Sequence, residues 1–426
     1  MVLDAQGLTG DRQPIHVVYG GAQLFKTETP ARLGALALDL IRNYTPDVDS
    51  FAECLGLERG ELAEVVYART IAKLEHEPVE DFRIDFEDGY GYRSEAEEDG
   101  HSVSTARLLA QGAGKPGFPP FCGIRIKPFT QALGARAART LDLFLDAMLE
   151  ESRGLLPANF VITLPKISTP GQVSELVALL EQAESRHTLD PGAIKIELMI
   201  ETPQAIIDAS GAFGVPKLLK AAEGRCRGLH FGPYDYSASC NIAAAEQRLD
   251  HPACDFARHV LQVCAADTGV FLSDGPSTIL PIPRHRAPAS EEERAENRAV
   301  VRRAMRHHFD LVQRSLAHGY YQGWDLHPGQ LPTRYAAVYA FFLKSLDPAV
   351  VRLRNFIDQA AQATLVGDVF DDAATGQGLL NFLLRGVNCG AITEEEAAAS
   401  GLTLEELRGR SFQKIMDHRR KHNIEK

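Results

Sequence analysis

Eight short runs rich in β-branched or aromatic residues, each followed by a longer helical pattern, constrain this chain more than any other feature of its 426 residues. They are HVVYG (16–20), FRIDFED (82–88), FCGIRIKP (121–128), NFVITLPK (159–166), AIKIELMIE (193–201), GLHFGPYD (228–235), GVFLSDG (269–275) and GYYQGWDLH (319–327). Between them lie amphipathic segments such as TPARLGALALDLIRNY and TPGQVSELVALLEQAE, long enough to cross back and start a parallel strand. Eight consecutive units predict an α/β chain closed into a (β/α)8 TIM barrel, because an open doubly wound sheet uses fewer strands. Helix starts agree: Thr169-Pro170 and Thr202-Pro203 put a hydroxyl before a proline at the first helical position, and Ser94 with Glu97 makes a capping box.

Two stretches fall outside the eightfold pattern. Residues 46–80 read as a helical insertion after the first helix, and 346–426 as a helical C-terminal extension of a barrel domain spanning 1–345. The extension carries apolar positions that need cover, among them Val350, Leu353, Phe356, Ile357, Leu380, Phe382 and Leu383. The barrel's ring is already supplied with helices, so the extension is expected across the active-site face or on a neighbouring subunit of a homo-oligomer. Gly376-Gln377-Gly378 and the stretch Gly386 to Gly390 would let it close as a lid.

Composition narrows the function. With 45 Lys+Arg against 57 Asp+Glu the formal charge is -12, which repels phosphate backbones and anionic bilayers, so neither nucleic acid nor membrane is an expected partner. The basic run Arg408, Arg410, Lys414, Arg419, Arg420 and Lys421 then reads as a solvated or interface face. Seven scattered cysteines with no C-x-x-C suggest core fillers in a reducing cytoplasm, and no stretch is apolar for the length a membrane crossing needs. Phosphate-loop, nucleophile-elbow and H-E-x-x-H motifs are missing.

In such a barrel alternate strand residues point inward, and the C-terminal strand ends form the mouth where chemistry happens. Those ends read Glu87/Asp88, Arg125, Lys166, Glu201, Asp235, Asp274 and His327. Alternation sends Ile194, Ile196, Leu198 and Ile200 toward the helices and Lys195, Glu197, Met199 and Glu201 inward, with Arg83, Asp85, Glu87 and Arg125 inward on their own strands. Glu201 and Asp235, on adjacent strands and with few histidines or cysteines nearby, suit a hard cation, Mg²⁺ or Mn²⁺, rather than zinc. Arg125 offers a planar fork for a substrate carboxylate, which would place a 2-oxo acid or its enolate across the metal. Glu87 and Asp88 would orient water, or else cap a strand as solvated acids. Lys166 is a Schiff-base nucleophile, an electrostatic support or an ion-pair partner, and His327 is expected to be a satisfied structural histidine.

These residues carry a resemblance. IELMIETPQAI and HFGPYDYSAS resemble the metal-glutamate and glycine-x-x-aspartate motifs of the HpcH/HpaI aldolase and citrate lyase β-subunit family. DFEDGY, GIRIKPF and GWDLHPGQL are similar to its acidic second strand, arginine-bearing third strand and His-Pro-x-Gln signature, in the family's order over residues 15–335. Lys127 stands where the family often has asparagine, and the first loop reads Tyr-Gly-Gly instead of Pro-Gly. The resemblance implies a carbon–carbon lyase or aldolase in which Glu201 and Asp235 bind the metal, and Arg125, Gly232 and Pro233 contact a small carboxylate substrate, a coenzyme A thioester among the candidates. Two rivals stay open: phosphoenolpyruvate-type phosphoryl or phosphono transfer on the same scaffold, and a non-catalytic, carboxylate-binding assembly subunit.

Overall fold

The computed structural model describes residues 12–358, 364–366, 369–371, 373–409 and 415. Eight strands, β1 (His16–Gly21), β2 (Asp81–Asp85), β3 (Phe121–Arg125), β4 (Phe160–Leu164), β5 (Lys195–Ile200), β6 (Cys226–Phe231), β7 (Phe271–Asp274) and β8 (Gln322–Asp325), pair in sequence order. All pairs are parallel, and His16 of β1 meets Gly323 of β8 to close the barrel. Several strands stop short of the apolar runs that announced them. The chain leaves the ladder where Pro165 and Pro233 have no N–H to give it.

The outward residues Ile84, Ile124, Ile162, Ile196, Leu198 and Ile200 are completely buried under the helices, each contributing about 1.5–3 kcal/mol of apolar burial. The inner face is ionic instead. Arg83 pairs with Asp81 and, at 2.6 Å, with Glu197, while Thr163 Oγ1 donates to Glu197 at 3.0 Å. Buried arginines are tolerated there because each fork is saturated by carboxylates.

Between β1 and β2 lie three helices, Thr29–Tyr44, Val48–Leu55 and Glu61–His76. The helix Leu331–Lys344 follows β8 and runs back to the end where the strands begin. The described extension packs there, opposite the mouth. Arg385 sits 5.1 Å over the Tyr321 ring just before β8 and bonds Gln13 just before β1, Phe382 lies 5.2 Å from Phe342, and Arg69 pairs with Glu396 at 2.6 Å. This corrects the lid expectation. Gly376, Gly378 and Gly386 belong to one helix, Ala373–Asn388, and a Cβ on Gly386 would strike Ile392 at 2.3 Å, so that glycine serves close packing, not hinging. Two short strands, Thr364–Val366 and Val369–Asp371, pair antiparallel in a segment expected to be only helical. Val350, Leu353, Phe356, Ile357, Leu380 and Leu383 are all buried by this chain itself, which removes the apolar argument for a neighbouring subunit. Of the basic run, Arg410, Lys414, Arg419, Arg420 and Lys421 lie outside the described residues.

Truncation after Ser345 should therefore lower the unfolding midpoint by roughly 10 °C, a few kcal/mol of lost apolar cover. The cation affinity expected at the mouth should be unchanged, as scanning calorimetry and titration of the truncated chain would record. No described helix is long and apolar enough to cross a membrane.

Candidate active site

Glu201 follows β5 directly and is only 2 % exposed. Its Oε1 accepts the Lys166 backbone N–H at 2.6 Å. Lys166 reaches it in the left-handed region, at φ 50°, a conformation costing a non-glycine residue about 1–2 kcal/mol. Gly232 keeps the other side clear: a Cβ there would lie 2.6 Å from Glu201 Oε2. Asp235, half-buried, sits in the first turn of the short helix Pro233–Ser239 that this glycine opens. Burial, reinforced by the charge of Asp235, pushes the Glu201 carboxyl up to about 8. Pro233 is buried and packs against Gly275, where a Cβ would lie 2.2 Å from its ring.

Glu87 and Asp88 come past the end of β2, in a turn held by Asp85, whose two oxygens accept the N–H groups of Glu87 (3.0 Å) and Gly89 (2.8 Å). Lys166 Nζ contacts Glu87 and lies 3.0 Å from Asp88. Burial raises the Glu87 carboxyl; at Asp88 the opposing pull of Lys166 outweighs burial and lowers it. Against the cost of its own burial, these two acids raise the Lys166 ammonium, so it is held charged and is not the free amine that a Schiff base needs.

Arg125 departs from the sequence-based expectation. Its Nε and Nη2 are committed to Asp85, at 2.7 and 2.5 Å, and only Nη1 points elsewhere, 3.2 Å from Glu87 and 3.7 Å from Met199 Sδ. The fork predicted for a substrate carboxylate is thus filled by Asp85. Its carbon lies 4.8 Å from the Tyr19 ring and 5.4 Å from Trp324, two rings whose centroids are 4.4 Å apart. This aromatic wall escaped the sequence reading, although both residues occupy inward positions of runs that it had marked as strands.

Two other strand-end residues are taken up in structural contacts. Asp274 faces the helices, bonded to Arg258 at 3.2 Å and to Ser315 Oγ at 2.6 Å. His327 is a structural histidine, as expected: its Nδ1 accepts from Gly329 N–H at 3.0 Å while Gln330 bridges to Ser277 O at 3.0 Å, tying the loops after β7 and β8 together. Glu87, Asp88, Lys166, Glu201 and the outer edge of Arg125 thus form one connected group, and Asp235 joins it through its charge on Glu201.

The donor chemistry fits a hard divalent cation. The buried Glu201 carboxyl faces the half-buried Asp235 at a spot where a proton is otherwise retained, and a cation would relieve both. Among the described residues no cluster of three or more His, Cys, Asp or Glu side chains is placed to hold a metal, so two protein ligands leave the remaining positions to water and substrate.

No curated protein matches the chain. Among solved structures, a citrate lyase from Burkholderia xenovorans LB400 is similar over 92 % of this chain and 97 % of its own, with 20 % identity and a TM-score of 0.58. Protein CitE from Mycobacterium tuberculosis, in complex with magnesium, acetoacetate and coenzyme A, is 14 % identical over 89 % of this chain and 99 % of its own, with a TM-score of 0.49. Haloferax volcanii malate synthase, as a lead(II) complex, is 15 % identical over 81 % and 85 %, with a TM-score of 0.46. The first likeness establishes a shared barrel fold. Residues 4–415, nearly the whole chain, match one family, and the protein accordingly belongs to the family described as Domain of unknown function (DUF6986).

Proposed function

We propose that the barrel, residues 1–345, is a divalent-metal-dependent carbon–carbon lyase or aldolase acting through the enolate of a 2-oxo acid or an acyl thioester. One observation carries the reading: Glu201 is buried beside Asp235, and no described lysine or arginine side chain pairs with either. A buried carboxylate set against a second one without a cation is costly, and Mg²⁺ or Mn²⁺ removes that cost. The resemblance of IELMIETPQAI and HFGPYDYSAS to the metal motifs of the HpcH/HpaI and citrate lyase β-subunit family supports the same assignment. Glu201 and Asp235 would hold the cation, whose chemistry is Lewis-acid stabilisation of a developing enolate oxygen.

The chain's own residues do the rest. The Lys166 N–H fixes one Glu201 oxygen and leaves the other, which Gly232 keeps clear, for ligand duty. The Lys166 ammonium holds Glu87 and Asp88 together at the mouth, where both order water and Glu87, raised by burial, holds a proton near the reacting carbon. Arg125 reaches substrate only through Nη1 and mainly locks Asp85, which in turn shapes the Glu87 turn. Gly232 and Pro233 form the wall beside the substrate.

The test is turnover of a panel of 2-oxo acids and acyl thioesters, read as product release with and without chelator. Cleavage should require Mg²⁺ or Mn²⁺ and fall about 10³-fold in Glu201→Gln, several kcal/mol of transition-state stabilisation. Cleavage that survives chelation, or a phosphorylated product instead of carbon–carbon cleavage, would overturn the reading.

A further inference from the structure

Tyr19, His230 and Glu197 lie in series across the barrel interior, on β1, β6 and β5. Tyr19 Oη is 3.3 Å from His230 Nδ1, and His230 Nε2 is 3.2 Å from Glu197 Oε2. Although burial pushes the Glu197 carboxyl up, Arg83 and His230 hold it well below its usual range, so it is ionised and can only accept. In its neutral form His230 therefore carries its proton on Nε2, Nδ1 is left as an acceptor, and the Tyr19 hydroxyl is the donor. A hydroxyl, an imidazole and a buried carboxylate in that order let a proton taken up at one end be stabilised at the other. The surrounding charge favours this. Asp81 and Glu197 face the one guanidinium of Arg83, so the cluster is a positive charge short, which a proton on His230 supplies.

The hydroxyl end of the series lies under the mouth. Tyr19 is half-buried, as is Trp324 against it, whereas the inward residues nearer the strand starts, Val17, Asp81 and Gln322, are 0, 1 and 3 % exposed. The exposed edge of Tyr19 therefore faces the other end of the barrel. His230 stands two residues, ~7 Å of strand, before Gly232, whose missing side chain keeps Glu201 Oε2 clear. Arg125 links the two levels: its carbon is 4.8 Å from the Tyr19 ring, and its Nη1 is 3.2 Å from Glu87. Burial, with the charge of Glu197 behind it, holds the Tyr19 phenol above its usual range, so it passes protons on without standing as a phenolate.

We propose that Tyr19 is the catalytic base for the hydroxyl of the substrate, and that His230, oriented by Glu197, stores the proton. The inference rests on the metal-carboxylate reading of Glu201 and Asp235. As the carbon–carbon bond of a 4-hydroxy-2-oxo acid breaks, Tyr19 takes the proton of the 4-hydroxyl while its own passes to His230 Nδ1. The O–H electron pair becomes the second bond of the new carbonyl. The pair of the broken bond becomes the enolate, and the Glu87 carboxyl gives that carbon its proton. His230 then releases its proton through Tyr19 to water, and water returns one to Glu87.

Tyr19→Phe keeps the ring against Trp324 and Arg125 and removes only the hydroxyl. With Mg²⁺ present it should cleave 4-hydroxy-2-oxopentanoate and 4-hydroxy-2-oxoglutarate about 10³-fold more slowly at unchanged KM, and His230→Gln should lose a similar factor. Exchange of the pyruvate methyl hydrogens with deuterium oxide moves no hydroxyl proton, so both variants should retain it. Nitrogen NMR of the metal-free protein reads the series without turnover: the His230 resonances, assigned by their loss in His230→Gln, should place the proton on Nε2, and Nδ1 should shift in Tyr19→Phe. A His230 proton on Nδ1, wild-type cleavage by Tyr19→Phe, or exchange lost together with cleavage overturns the relay and leaves the metal reading intact. A wild type that binds Mg²⁺ and cleaves neither acid likewise overturns the relay. If Mg²⁺ itself does not bind, the metal reading fails and the relay falls with it.

Discussion

Arg125→Ala is expected to destabilise the protein by about 3–5 kcal/mol, the penalty for leaving a buried carboxylate without its partner. Asp85 is 1 % exposed and would lose both arginine contacts at once. Arg125→Lys should recover only part of the loss, since a point charge cannot span both oxygens and does not fill the space against Tyr19 and Trp324. Asp85→Asn combined with Arg125→Met should be less destabilised than the sum of the two single variants, because no buried charge remains unpaired. Urea unfolding of the wild type, Asp85→Asn, Arg125→Met and the double variant measures this coupling. Additive losses would mean that the pair is not the buried unit described here, and a stable Arg125→Ala with lost turnover would restore the free substrate fork expected from sequence.

A second large effect concerns pH. The Glu201 carboxyl titrates at about 8 in the folded chain, whereas an unfolded glutamate titrates near ~4.3. Between those values the folded state keeps a proton that the unfolded state releases, so this group's contribution to stability is full below ~4.3 and is lost as pH rises toward 8. The slope is about 1.4 kcal/mol per pH unit, a loss of a few kcal/mol in all. Saturating Mg²⁺ displaces the proton and should flatten the slope, so the gain in unfolding midpoint on adding Mg²⁺ is larger at pH 8 than at pH 6. In Glu201→Gln both the slope and the Mg²⁺ gain should disappear. A wild-type protein whose stability between pH 5 and 8 matches that of the variant, with or without Mg²⁺, would show that Glu201 is not held protonated against Asp235.

The barrel was legible because a buried parallel strand leaves a short apolar run and its crossover helix leaves an amphipathic one, repeated eight times here. Alternation also assigned the inward side chains of β2, β3 and β5. Partner choice is a different kind of information. Asp85 and Glu87 are both inward acids on one segment, and nothing in their spacing tells which of them captures the Arg125 fork; the stagger of β2 against β3, Asp85 opposite Arg125, decides it. Asp274 misled for a related reason: one residue of register turns a strand-end acid from the mouth to the helix layer, where Arg258 waits. The extension's burial was readable from its apolar positions, but its place was not. Apolar periodicity says that a face is covered and not by what, and the contacts that seat it, Arg385 on Tyr321 and Phe382 on Phe342, join residues far apart in sequence. The aromatic wall of Tyr19 and Trp324 arises in the same way, from the closure of β1 on β8.

The proposed chemistry depends on Glu201 and Asp235 together holding a divalent cation. Paramagnetic resonance titration of Mn²⁺ into the wild type, Glu201→Gln and Asp235→Asn measures it without any substrate. One site per chain in the wild type, weakened at least about tenfold in each variant and competed by Mg²⁺, is the predicted result. Mn²⁺ affinity that is the same in all three proteins would contradict it.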